Sequence, residues 1–179
     1  IPLTLVKDSI VSGDYLTEAM QALKVVCHDP YVVGSDFVGE EITDIAELKA
    51  VIREIVTGIA AQDPDWTVRI HAGENDTLKS NMSKSIDLVE EALLPGQPFP
   101  RMRIGHGLYC AKLSSKQGRT LMDKLKSHDV VLEFQLTSNV RLNNIIDLRR
   151  HPLKSYLARD IACVMGTDGW GLYGTDGID

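Results

Sequence analysis

The sequence predicts an α/β protein built on a parallel sheet. Three observations predict it. Short apolar runs alternate with longer amphipathic stretches, the runs are continuous in Val, Ile and Leu, and run after run ends in a polar or reactive residue. Continuous apolar strands suit a sheet buried on both faces. Strand–helix alternation gives right-handed βαβ units. The chain has 179 residues, 44% hydrophobic and 25% charged, which is enough apolar material for one sizeable core.

In chain order, the candidate strands are 3–6, 31–36, 67–71, 101–105, 130–134 and 161–166. Helix candidates lie between them at 14–26, 45–62, 83–94, 115–127 and 152–159. The second of these is the clearest: Ile45, Leu48, Ile52, Ile55, Val56 and Ile59 recur at helical spacing and form one apolar stripe. The stretches 73–82 and 95–100 are polar or Pro-rich and read as solvent-facing loops. No repeat, low-complexity tract or linker interrupts the pattern. Six such strands fit an open doubly wound sheet or most of a (β/α)8 barrel, which typically takes ~250 residues. Periodicity alone does not choose between them.

Composition narrows the function. With 19 basic and 25 acidic residues the net charge is -6, and there is no basic patch, so a nucleic-acid partner is not expected. No apolar run approaches the ~20 residues of a membrane helix. Cys27, Cys110 and Cys163 are few, odd in number and far apart, which predicts free thiols and a cytoplasmic, reducing compartment. The opening Ile1-Pro2 and the Gly-rich close predict a piece of a longer polypeptide. The stretch from Gly169 to Gly174 spells G-x-G-x-x-G, but it follows the last strand rather than the first and fails as a dinucleotide fingerprint.

The strand ends carry the chemistry. The second candidate strand ends at Asp36, the third at His71, the fourth at His106, the fifth near Glu133 and the sixth just before Asp168. In a barrel these C-terminal ends converge on one mouth, where such enzymes keep their sites. A lone His at a strand end is more often structural; several strands ending this way reverse that expectation. In Arg69-Ile70-His71-Ala72-Gly73-Glu74, Gly73 permits a sharp bend that lets His71 and Glu74 face one mouth. Arg103-Ile104-Gly105-His106-Gly107 leaves the His106 ring accessible between glycines, and Gly166-Thr167-Asp168-Gly169 places an acid directly after an apolar strand.

Taken together, these segments resemble the adenosine deaminase family, which includes AMP deaminases and deaminase-like growth factors. The matching stretches are Gly34-Ser35-Asp36-Phe37-Val38-Gly39-Glu40-Glu41, His71-Ala72-Gly73-Glu74, Gly105-His106-Gly107, Thr137-Ser138-Asn139 and Thr167-Asp168. Asp147-Leu148-Arg149-Arg150-His151-Pro152 looks like the growth-factor and AMP-deaminase side of the family. The resemblance implies a (β/α)8 barrel, here a C-terminal portion covering roughly strands 3 to 8, with residues 1–179 forming part of a metal-dependent hydrolase domain. It implies hydrolytic, Zn2+-dependent deamination of an adenine nucleoside or nucleotide, of the adenosine-to-inosine type, with a small-molecule purine nucleoside or nucleotide as partner. By that likeness His71 and Asp168 match zinc ligands, and Glu74 matches the acid that protonates the purine ring. His106 matches the base beside the attacking water, and the Gly39 backbone N–H matches the group that meets the purine. Zinc takes imidazole and carboxylate ligands and lowers the pKa of its water to about 7.

Two departures stand out. The family's first strand carries a His-x-His pair, which this chain lacks, and Gly169 stands where the family has a second Asp on the purine. They keep an alternative in view: a catalytically impaired, deaminase-like binding or scaffold module of an oligomer or larger assembly.

Overall fold

The computed structural model describes residues 13–39 and 41–169. Helix α1 (Gly13–Val26) leads to strand β1 (Gly34–Phe37). A 3-10 turn (Ile45–Leu48), α2 (Lys49–Ile55) and a π turn (Val56–Ala60) then run on without a break into the segment before β2 (Thr67–Ala72). After it come α3 (Asn81–Ala92), β3 (Arg101–His106), α4 (Lys116–Ser127), β4 (Val131–Phe134), α5 (Leu136–Arg141), α6 (Leu153–Leu157) and β5 (Cys163–Met165). The candidate strand 3–6 lies outside the described residues, as does most of the glycine-rich stretch after Gly169.

All four strand pairings are parallel, and the five described strands lie in the order β1-β2-β3-β4-β5. This order decides between the two folds. A doubly wound sheet reverses its strand order at a switch point, whereas a barrel adds each strand beside the last. The chain is a portion of a (β/α)8 barrel.

Core formation follows the strand alternation. Val68, Ile70, Met102, Ile104 and Leu132 turn to the helix side and are buried against the helices. All six residues of the stripe from Ile45 to Ile59 are buried in that layer. Asp44 starts this helical stretch by accepting from the Ala46 N–H at 3.0 Å, and the Gln97 side chain donates to the Val56 carbonyl at its π turn at 2.9 Å. Ser115 caps α4 through the Gly118 N–H at 3.1 Å. Among the described residues no helix is long and apolar enough to cross a membrane, and the three cysteines are free.

The structure corrects four boundaries. β1 begins three residues later than expected, because Tyr31 closes a turn by donating its N–H to Asp29 at 2.9 Å. α3 takes in Asn81 and Met82, which read as loop. The last helix and strand contract to Leu153–Leu157 and Cys163–Met165. Helix α5 was not expected at all: Thr137, Ser138 and Asn139 are weak helix formers, and buried Ser138 and Asn139 hold it in place.

His151 offers a test of the packing. It is buried edge-on against Phe134, with ring centroids 4.8 Å apart, and its Nδ1 accepts from the Leu153 N–H at 3.1 Å. Burial pushes its pKa down to about 4. The unfolded chain therefore takes up this proton first as pH falls. The stabilisation is complete above about pH 6.5 and is lost progressively between there and pH 4. Urea unfolding should show His151→Gln losing about 2 kcal/mol less stability than wild type between pH 7 and 5. Equal losses would mean that His151 takes up a proton without unfolding.

Candidate active site

The register between β2 and β3 sets the site. His71 pairs with Gly105, and Ala72 with His106. Plain strand alternation would therefore send the His71 and His106 rings to opposite faces. His106 departs from strand geometry, with φ at +69°, a region that non-glycine residues enter at a cost. Its ring lies on the same side as His71, edge to face, with centroids 5.1 Å apart. Gly105 makes room for this approach: a Cβ there would stand 3.1 Å from the His71 ring.

Glu74 follows on a turn that is fixed from two sides. Gly73 has φ +74°, its carbonyl accepts from the Tyr109 N–H at 2.8 Å, and a Cβ on it would stand 2.4 Å from the Tyr109 carbonyl oxygen. On the other side the buried Glu41 carboxylate accepts from the Gly73 N–H through Oε1 and from the Glu74 N–H through Oε2, both at 2.9 Å. Burial pushes the Glu41 pKa up, while hydrogen bonds from Gly73, Glu74, Asn81 and Asn75 pull it back.

His71, Glu74, His106 and Asp168 line one cavity of about 420 Å3, together with Val38, Gly39, Asn75, Leu142 and Asn144. All five residues singled out in the sequence thus meet at one place, on the C-terminal side of the sheet. Asp168, like His106, has a left-handed backbone, with φ +57°. The volume falls in the range of small-molecule sites.

The two histidines are in different states of readiness. His106 Nδ1 lies 3.2 Å from Asn139 Oδ1, and both side chains are buried. With Asn139 accepting, the His106 proton sits on Nδ1. Its Nε2 is turned to Glu74 Oε1, 3.7 Å away. Burial pushes the His71 pKa down to about 4; Asp36 opposes this, while Arg69 and His106 add to it. His71 is therefore neutral at pH 7, the form in which imidazole ligates a metal.

An ionic layer lies beneath them. Arg69 donates through Nε to Glu133 Oε2 at 2.8 Å and through Nη1 to Asp36 Oδ2 at 2.5 Å, and Nη1 also lies 2.6 Å from His71 Nε2. Arg103 pairs with the other Glu133 oxygen. Burial would raise the Glu133 pKa, but the two arginines outweigh it and hold the carboxyl below the usual range. Asp36 and Glu133, noted only as polar strand ends, thus serve as anchors for Arg69. Sequence reasoning assigned no role to Arg69, Glu41 or Asn139, although all three lay inside quoted stretches. Apart from the contact of Arg69 with His71, their contacts described above span 32 to 64 positions, and no local pattern signals them.

The donor set can be tested against zinc. An imidazole and a carboxylate, His71 and Asp168, are zinc donors in kind, but a catalytic zinc takes three protein ligands. No group of three or more such side chains is assembled among the described residues. The guanidinium on His71 Nε2 must also withdraw before a cation takes that lone pair.

A sequence profile of the adenosine deaminase family matches residues 8–178. The chain belongs to this family. The adenosine deaminase of Escherichia coli strain SMS-3-5 is 33% identical over 116 residues, which span 65% of this chain and 30% of that protein. The N6-mAMP deaminase of Arabidopsis superimposes with a TM-score of 0.64 at 23% identity, covering 90% of this chain and 42% of that one. An adenine deaminase from Arthrobacter aurescens gives a TM-score of 0.61 at 22% identity, over 89% and 42% of the two chains. The chain thus spans well under half the length of these relatives, and the structural likeness supports the barrel alone.

The Arg69 layer predicts a stability effect. Arg69→Ala leaves Glu133 half-satisfied and Asp36 without its guanidinium, which should cost about 2–3 kcal/mol in denaturant unfolding. A loss under about 0.5 kcal/mol would show that solvent screens these charges.

Proposed function

We propose that the full-length protein is a zinc-dependent hydrolytic deaminase of an adenine nucleoside or nucleotide, with residues 1–179 as part of its barrel domain. One observation carries the reading: His71, Glu74, His106 and Asp168 line a single cavity, although they come from three strand ends and a loop. The relatives named above are deaminases of adenosine, of N6-mAMP and of adenine. Their substrates share the adenine ring with nitrogen on C6, which sets the reaction class while the rest of the substrate varies.

Each residue has a role in this scheme. Gly39, on the cavity wall, offers its backbone N–H to a ring nitrogen and orients the purine. Glu74 gives a proton to the ring nitrogen beside C6 as a water oxygen bonds to that carbon, so the ring stays neutral while the centre becomes tetrahedral. His106, through its Nε2 on the Glu74 side of the ring, takes the proton that the water releases. His106 passes that proton to the amine as the C6–N bond breaks, the C6 hydroxyl returns its proton to Glu74, and ammonia or a methylated amine leaves a 6-oxopurine. His71 and Asp168 would hold the zinc together with ligands from outside the described residues. When bound, zinc supplies a water whose pKa is lowered to about 7, which makes it a nucleophile at neutral pH.

The arrangement favours this reading over a binding or scaffold module. A binding surface has no need of a strained His106 backbone or of an Asn139 that fixes the proton on its far nitrogen. The test is Glu74→Gln in the full-length protein, which keeps the side chain's shape and removes the acid. Ammonia release should fall by a factor of 10² to 10⁴, at the scale of a lost general acid, with the melting temperature near wild type. Undiminished turnover would remove Glu74 from the mechanism.

A further inference from the structure

We propose that Glu41 is a positioning residue for the deamination step: its carboxylate holds the Gly73–Glu74 turn so that the Glu74 carboxyl is presented to the substrate. This inference rests on the deaminase reading above and adds a residue to which that reading gives no task.

Glu41 does not line the cavity, and it is 1% exposed. It therefore acts on the substrate only through what it holds. Its two oxygens take the N–H groups of two consecutive residues, one of which is Glu74 itself. Such a bidentate grip fixes both the position and the tilt of the peptide plane from which the Glu74 side chain springs. The opposite side of the turn is closed by Tyr109, which donates to the Gly73 carbonyl and leaves no space for a Cβ on Gly73. Held between Glu41 and Tyr109, the turn has one placement.

Glu41 is in turn fixed by the start of α3. The Asn81 side chain bonds to it, donates to the Thr43 carbonyl at 3.1 Å and accepts from the Ile45 N–H at 3.3 Å. The segment from Gly39 to Glu41 thus serves the site twice. Gly39 forms part of the cavity wall, and two positions later Glu41 sets the acid that follows the neighbouring strand. A carboxylate suits this task because both of its oxygens accept. An amide places an NH2 group against one of the two backbone N–H groups and forces the turn to shift.

The test is made on the full-length enzyme with Glu41→Gln, Glu41→Asp, Glu74→Gln and the Glu41→Gln/Glu74→Gln double variant. Turnover is measured, together with affinity for a purine analogue carrying a tetrahedral, hydroxyl-bearing C6. Displacing the acid by about 1 Å should lower kcat of Glu41→Gln on the order of 10²-fold while KM changes less than about threefold. Affinity for the analogue should fall in parallel. In the Glu74→Gln background Glu41→Gln should cost the analogue less than about twofold more, because the group it positions is already gone. Glu41→Asp keeps both acceptors on a shorter arm and should lose at least about fivefold in kcat, which serves if the amide variant does not fold. Wild-type kcat in a folded Glu41→Gln or Glu41→Asp enzyme, or multiplicative losses in the double variant, would assign Glu41 to fold stability alone. Wild-type protein that releases no ammonia from any adenine compound would overturn the deaminase reading, and this inference with it.

Discussion

The parallel register of β2 on β3 is the constraint from which the site follows. It places His71 opposite Gly105 and so gives the His71 ring the one neighbour without a side chain. It places His106 one step further on, where a regular strand would turn its ring away. The left-handed backbone at His106 reverses that direction and brings two imidazoles within 5.1 Å. A slip of one residue would set His71 against a side chain and separate the rings. The helix-side core of Val68, Ile70, Met102 and Ile104 resists such a slip, because it would turn the two buried apolar side chains of the slipped strand to the polar side. Hydrophobic burial thus holds a register whose benefit appears on the other face of the sheet.

That other face carries charge. Asp36, Arg69, Arg103 and Glu133 form a connected ionic layer just below the cavity. Apolar residues would give a more stable interior than paired charges. The layer instead sets both signs of charge beside His71: Asp36 favours its protonated form and Arg69 opposes it, and burial decides for the neutral imidazole. It also gives Arg69 two carboxylate partners besides its contact with His71. Beneath the rim the chain has therefore set charge where packing alone would ask for Leu or Val.

The strands were legible because strands buried on both faces leave long apolar runs, and the stripe from Ile45 to Ile59 was legible because one helical face is apolar over four turns. The strand-end residues that line the cavity were conspicuous for the same reason: a His or Asp that closes an apolar run stands out. What was not legible depends on distant partners. Helix α5 is made of residues that favour turns and is held by Asn139 reaching His106. Glu41 reads as one acid in an acidic stretch until the fold places it under Gly73 and Glu74. Arg69 reads as a polar residue at a sheet position until Asp36 and Glu133 arrive on either side. The strand order settled the choice between barrel and doubly wound sheet, and no periodicity carries that information.

The central claim is that these strand ends form one metal-dependent purine site. A crystal structure of the full-length protein grown with zinc and a 6-oxopurine product, with anomalous data collected at the zinc edge, tests it most directly. The account predicts a single zinc peak in contact with His71 and Asp168, Arg69 withdrawn from His71 onto Asp36 and Glu133, and the purine between Gly39 and Glu74. A zinc peak elsewhere, or a purine bound away from Glu74 and His106, would contradict it.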